Sequence, residues 1–488
     1  MSLRAPSQKI VVAIIYICGM LMNSLDSTIV TVALATLSRE FGVSPAATEG
    51  VIIGYLVSLA VFIPTSGWLG DRWGTKRTFL LALTLFTAAS ALCGLAGSLN
   101  QLILFRILQG AGGGLLTPVG MAMLYRAYPP QERIGVARIL MFATILGPAC
   151  GPILGGFLIE QLSWRWAFYV NLPVGLAALL FGAFFLHEHR EEGAGAFDIP
   201  GFLLAGTGFA LVMYALSEGP VHGWGSASIV APGLIGVVVL AIFVMVELRV
   251  AAPMMQLRLL GNRLFRSTLM VSFFATGGFL GTLFLVPLFL QEARGAAPLD
   301  SGLTTFPEAI GVVISTQIVA RLYPRFGPRR LMAGGLLWVA IDIALLSLID
   351  LNSNPWFVRL LMFGLGVGMA YVFLPNQAAS LATISSAETG RASTLSSVQR
   401  QLGSATGVAV LSSILAAFGP TVVTATGATA PNLTAYRAAF LAAATLSLIG
   451  ALLALRVPDA DAAATMRRPE KARPATRREV AAALPEGD

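Results

Sequence analysis

The sequence predicts an all-α protein that crosses a membrane many times. Of its 488 residues, 56% are hydrophobic and only 11% charged, where a soluble domain carries about 25% charged residues. A mean hydropathy of +0.78 leaves too little polar surface to cover a water-soluble chain. The apolar residues also fall in runs, such as "FLLALTLFTAASALCGLAGSL", close to the roughly 20 residues that cross a bilayer as a helix. Helices are required because lipid cannot satisfy exposed backbone groups, and the alternation that marks membrane strands is absent.

Polar breaks between the runs define about fourteen spans. Span 1 (10–35) resembles a signal peptide in position, but it lacks a small-x-small cleavage site and carries an acid, so it stays as a helix. Span 2 (47–69) stops at "GDRWGTKR" and span 3 (78–98) follows it; "GSLN" precedes span 4 (101–124). Span 5 (136–160) follows "RAYPPQER", and span 6 (165–187) runs to the acidic "HEHREE". Spans 7 (198–217) and 8 (229–249) flank "SEGPVHGWGS". Spans 9 (268–291) and 10 (302–323) are parted by "QEARGAAPLD", and span 11 (331–350) follows "PRFGPRR". "DLNSNP" precedes span 12 (356–382), "SSAETGR" span 13 (396–418) and "TGATAPN" span 14 (434–456).

Charge orients the chain. With both termini in the cytoplasm, Arg39, Arg165, Arg294, Arg359 and Arg437 lie outside and Arg106 lies within span 4, leaving 26 of the 32 Lys and Arg inside. That is the asymmetry of a multi-pass protein of the cell membrane, and it accounts for the net charge of +8 without nucleic acid. Cys18, Cys93 and Cys150 all lie in apolar spans and offer no disulfide framework. His187 and His189 in "HEHREE" read as a solvated linker in preference to a metal site. No P-loop or nucleophile elbow points to an enzyme, and no cofactor or metal is expected.

"DRWGTKRTFLLALTLF" after span 2 repeats as "PRFGPRRLMAGGLLWV" after span 10. Parallel halves of this kind are a transporter plan. The expected organisation is a cytoplasmic N-terminus (1–9), a six-helix half (10–187), and a linker with two inserted helices (188–250). A cytoplasmic interfacial segment (251–267), a second six-helix half (268–456) and a disordered cytoplasmic tail (457–488) follow.

Charges inside spans are costly and mark function. Asp26 lies roughly 24 Å up span 1, and Arg106 roughly 9 Å below the outer end of span 4, so the two share a depth and can pair. A carboxyl beside a guanidinium in a watery cavity feels opposed influences, so access of water or substrate can toggle its proton. The alternative is a static pair that fixes packing.

These stretches together resemble the major facilitator superfamily over residues 10 to 456, specifically its fourteen-helix drug:proton antiporter branch of the QacA/EmrB type. "LDSTIVTVAL" is similar to that branch's first-helix motif, with departures at Thr31 and Ala35. "GWLGDRWGTKR" resembles the superfamily's cytoplasmic signature through Gly67, Asp71, Arg72, Gly74 and Lys76. "RILQGAGGG" resembles the fourth-helix motif. "GPACGPILGG" resembles the antiporter signature through Gly147, Gly151, Pro152, Gly155 and Gly156. "SWRWAFYVNLPVG" and "RQLGSATGVAV" resemble further family stretches.

The resemblance implies a major facilitator fold of two six-helix halves with two helices inserted between them. It implies export of amphipathic or cationic small molecules driven by a proton gradient, by a monomer in the lipid bilayer. Asp26 and Arg106 then couple protons. Asp71 faces the start of span 13 near Ser396, with Arg72, Lys76 and Arg77 competing for it as a cytoplasmic latch; Pro324 replaces it in the second copy, so one latch is expected. Gly147, Gly151 and Gly155 form one stripe on span 5, with Pro148, Pro152 and Gly156 beside it, expected to seal against span 10. Glu49 and Glu308 are candidate substrate or second-proton groups, with Glu308 reaching up to the interface as the alternative. Asp342 reads as a local hydrogen bond or an oligomer contact. An importer of a small metabolite and a transporter-fold sensor are the competing readings.

Overall fold

The computed structural model describes residues 7–43, 45–191, 197–250, 253–423 and 429–466. The chain starts with α1 (Gln8–Phe41), which ends where Gly42 turns at φ 63°. The second run is bent: α2 (Pro45–Phe62) meets α3 (Thr65–Trp73) at 53°. Next come α4 (Thr75–Leu95), α5 (Leu99–Ala127), α6 (Arg133–Gln161), the short α7 (Trp166–Tyr169) and α8 (Asn171–Phe185). α9 (Ile199–His222) and α10 (Ala227–Glu247) pair as a hairpin. α11 (Arg263–Leu288), α12 (Pro298–Thr305), α13 (Pro307–Leu346), α14 (Pro355–Ala379), α15 (Thr389–Phe418), α16 (Leu433–Ala454) and α17 (Ala463–Met466) complete the order.

Among the described residues, ten helices are long and apolar enough to cross a membrane, or eleven with the bent α2–α3 pair. Spans 10 and 11 are two helices that meet directly at a kink at Gly327 (φ 73°), with no loop between them, and are numbered together as α13. Span 13 starts earlier than expected, at Thr389, which carries "TGRAS" into the helix. Polar residues there read as loop, yet Thr389, Ser393, Thr394 and Ser397 are buried against neighbouring helices.

The apolar side chains form two large cores. One gathers residues of α1, α2, α4 and α5 with the linker methionines Met254 and Met255. The other gathers α11, α13, α14 and α16. The segment expected to lie at the membrane interface therefore packs its methionines into protein. The turn after α16 is also ordered: Val457 and Ala462 are buried, and Tyr323 and Thr465 share a hydrogen bond of 2.7 Å. Only residues 467–488 of the expected disordered tail lie outside the described residues.

The two copies of the repeat close in the same way. Gly74 (φ 102°) and Gly327 (φ 73°) each turn the chain into a helix start that a side chain cannot easily adopt. Glu188, just past α8, accepts the Lys76 N–H at 2.9 Å. Asp459, just past α16, accepts the Arg329 N–H at 2.8 Å. Each six-helix group thus uses an acid beyond its last helix to satisfy a helix N-terminus inside it, where negative charge is favoured. The acidic linker is docked, not merely solvated.

Candidate functional site

Asp26 and Arg106 meet at the boundary between the large core of the first six-helix group and a smaller one around Ile29, Val51 and Phe168. The Arg106 guanidinium donates to Asp26 Oδ2 at 2.5 Å and to Gln109 Oε1 at 2.8 Å. Gln109, one turn along α5, donates from Nε2 to Asp26 Oδ1 at 2.7 Å. Asn171 at the start of α8 donates to the same Oδ1 at 3.1 Å, and Ser90 of α4 holds Asn171 at 3.1 Å. Arg106 Nε reaches the Val51 carbonyl at 3.3 Å, and its guanidinium lies 4.1 Å from the centre of the Tyr55 ring. Four helices and the α2 backbone therefore converge on one carboxylate.

The centre is closed to solvent, with Asp26 at 0% and Arg106 at 1% exposure. Two charges so placed are tolerated because each is neutralised by the other and fully hydrogen-bonded; removing one partner costs about 3–5 kcal/mol. A second polar layer lies beside it: the Tyr55 hydroxyl donates to Asn23 Oδ1, and Asn23 donates to Thr117 at 3.4 Å. The watery surroundings expected for Asp26 are replaced by packed polar side chains.

The second constellation lies where α3, α5 and α15 meet, here called the Asp71 end. Asp71 stands 3.1 Å from Arg126 of α5 and 3.5 Å from Arg391 of α15. It lies beside Gly390 at the start of α15, as expected, although that start is Thr389 and not Ser396. Its partners differ from those expected. Lys76 Nζ instead binds the Ala183 carbonyl at 2.8 Å, Arg77 lies 3.7 Å from Glu188, and Arg72 is exposed. Lys76 and Arg77 lie beyond the bend at Gly74, and Arg72, the next residue of α3, points to another side of that helix, so the partners come from other helices.

Gly67 lets α3 approach α15, since a Cβ there would lie 2.9 Å from Thr394 Oγ1. Ser66 and Thr394 share a hydrogen bond of 2.9 Å, and Arg133 donates to the Leu381 carbonyl at 2.8 Å. Tyr125 donates to the Gln377 carbonyl. Among the described residues, the hydrogen bonds joining α1–α8 to α11–α16 gather at this end, which is closed.

The glycine row on α6 meets a different partner from the one expected. A Cβ on Gly147 or Gly151 would collide with Ser24 or Thr28 of α1, and one on Gly155 would press on Ile29. Thr28 donates to the Gly147 carbonyl at 3.4 Å. The row is therefore a seam between α1 and α6 in the same half, not a seal against span 10. Gly156 faces open space. Pro152 is on α6, but its side chain and that of Pro148 lie outside the described residues.

The Major Facilitator Superfamily model matches residues 16–408 and, again, 268–484. The chain belongs to the major facilitator superfamily. It is 34% identical over 399 residues to the Multidrug resistance protein B homolog of Mycobacterium tuberculosis, covering 81% of this chain and 74% of that one. It is 32% identical over 447 residues to the Putative multidrug resistance protein MdtD of Pectobacterium atrosepticum, covering 90% and 94%. The human organic anion transporter MFSD10 shares its fold at a TM-score of 0.67 and 18% identity, over 92% of this chain and 100% of that one. The proton:xylose symporter XylE does so at 0.65 and 15%, over 94% and 98%.

This major facilitator protein is a membrane transporter and not an enzyme. Its remaining sequence-predicted acids lie apart from the Asp26 centre. Glu308 is buried at 8% exposure in the first turn of α13, so it does not reach up to the interface. Glu49 is half-buried on α2, which packs against α9, the helix carrying Glu218 and His222. Asp342 is buried beside Gly364 of α14, with Oδ2 lacking a hydrogen bond. Sequence reasoning missed Asn171, Ser90 and Tyr55 as partners of the central pair. A lone Asn opening the apolar stretch "NLPVGLAALLFGAFF" was the available signal for the first.

Proposed function

We propose that this transporter exports amphipathic or cationic small molecules in exchange for protons, as a fourteen-crossing drug:proton antiporter of the cell membrane. Taking α2–α3, α7–α8 and α12 with the first limb of α13 each as one crossing, and the second limb of α13 as another, gives fourteen. The matched relatives named for multidrug resistance support export. The excess of Lys and Arg at the Asp71 end supports cytoplasmic termini. The halves are 10–187 and 268–456, working as a monomer without a cofactor.

The observation that carries the reading is the buried Asp26–Arg106 pair. A proton arriving at Asp26 cancels its charge, yet Arg106 keeps Gln109, the Val51 carbonyl and the Tyr55 face. Arg106 then stays hydrogen-bonded but loses its counter-charge, so protonation of Asp26 favours a rearrangement of this closed centre. Proton binding weakens the tie between α1 and α5, and rocking of the halves then alternates access. Asp71 with Arg126 and Arg391 holds the cytoplasmic end shut until that step. Glu308 and Glu49 are the acids offered to a cationic substrate.

Inside-out membrane vesicles containing the protein, acidified inside, should accumulate a fluorescent lipophilic cation, and a protonophore should release it. Accumulation by right-side-out vesicles under an inward proton gradient would instead establish an importer.

A further inference from the structure

We propose that a cleft between the start of α11, the second limb of α13 and the end of α16 binds the phosphodiester headgroup of an anionic membrane lipid. The cleft measures about 550 Å³ and is lined by Arg263, Arg266, Arg329 and Arg456. Its size falls within the range of small-ligand sites.

Positive charge dominates this cleft among the described residues. No described carboxylate lies within ion-pair distance of any of the four guanidiniums, whereas Lys9, Arg77, Arg126 and Arg391 at the same end each have one. Arg266 reaches only the Leu260 carbonyl, at 3.3 Å. Asp459, beside Arg329, accepts the backbone N–H that starts the second limb of α13, and its single negative charge offsets at most one of the four positive ones. Four guanidiniums around one space repel one another until an anion enters, and the planar fork of Arg matches phosphate oxygens two at a time.

The surroundings select a lipid over a free anion. Met270 and Leu455 border the cleft and are 46% and 49% exposed. Met270 lies on α11 and Leu455 just past the end of α16, so exposed apolar side chains flank the arginines where two membrane-crossing helices reach their cytoplasmic ends. A phosphodiester can seat between the arginines while its acyl chains lie along these side chains. Basic pockets between membrane helices hold anionic headgroups by this combination. The occupied cleft ties α11, α13 and α16 together beside the Gly327 turn, independently of the Asp26 centre.

The test is native mass spectrometry of the purified full chain in neutral detergent, titrated with phosphatidylglycerol, phosphatidylcholine and inorganic phosphate. Wild type and Arg321→Gln, which changes an exposed arginine outside the cleft, should retain phosphatidylglycerol in preference to phosphatidylcholine. Arg263→Gln with Arg456→Gln should lower that retention tenfold or more. If the double variant does not fold, Arg266→Gln and Arg329→Gln taken singly should each lower it at least threefold. Equal retention by the cleft variants, or equal retention of phosphatidylcholine, overturns the proposal. Displacement of the lipid by an equal concentration of inorganic phosphate reassigns the cleft to a free anion and overturns the lipid assignment.

Discussion

Asp71 of α3 lies 3.5 Å from Arg391 of α15, an ion pair that joins residues 320 positions apart across the two halves. Arg126 adds a second cation at 3.1 Å, and Asp71 is only 2% exposed. Asp71→Asn leaves Arg391 without its carboxylate and Arg126 with Glu191 alone, and should weaken the closed end by about 1–3 kcal/mol, the scale of a lost charged hydrogen bond. That corresponds to a shift of roughly tenfold or more in the open population. Spin labels at Arg72 and Ala387 should report a longer distance in the variant; an unchanged distribution removes the latch.

The α1–α6 seam separates two glycines that sequence alone treats as equivalent. Gly151→Ala should impair export, because the added methyl meets the Thr28 side chain, and overpacking of this kind costs about 1–3 kcal/mol. Thr28→Ala should restore only part of the loss, since it removes the hydroxyl but leaves the Thr28 Cβ 2.7 Å from the added methyl. Gly156→Ala should be silent, since that position faces open space. Export assays on the three variants decide the matter: equal damage from both glycine changes rules out the seam.

Asn171→Leu should reduce export at least tenfold while the protein still inserts and purifies. The change removes a donor to Asp26 Oδ1 and leaves Ser90 without that partner. Gln109 still donates to that oxygen, so the cost is that of one hydrogen bond to a charged group, about 1.5–3 kcal/mol. Wild-type export by this variant would detach α8 from the coupling centre.

Gly74→Ala and Gly327→Ala should each lower the melting temperature, because both turns require positive φ, which costs an L-residue about 1–2 kcal/mol. Glu188→Gln and Asp459→Asn should do so more mildly, through the helix N-termini they satisfy. Thermal unfolding in detergent measures all four; a stability unchanged by the glycine substitutions would contradict the shared closure of the two repeats.

Much of the site was legible because membranes make charge expensive. Asp26 and Arg106 stood out as ionisable residues in apolar runs, and the helical rise put them at one depth before any contact was known. The repeat around Gly74 and Gly327 was legible as well, since both copies keep the glycine followed by basic residues. What escaped was tertiary choice. Helix rotation turns Arg72, the next residue, to another side of α3, but nothing local names Arg126 and Arg391 as the cations that reach Asp71. The packing of α5 and α15 against α3 decides that. The glycine row signalled close approach but carried no label for its partner, and α1 proved to be that partner. Asn171 was hidden because a single polar residue at a helix start looks like a cap. Glu188 was hidden because an acidic linker looks solvated.

The most direct measurement follows proton and substrate movement together in proteoliposomes holding wild type or Asp26→Asn. Wild type should expel substrate against its gradient while protons move the opposite way. Asp26→Asn should lose both the uphill export and the proton movement, while retaining downhill exchange of substrate. Uphill export by Asp26→Asn at the wild-type rate would show that the Asp26–Arg106 pair is structural and that protons couple elsewhere.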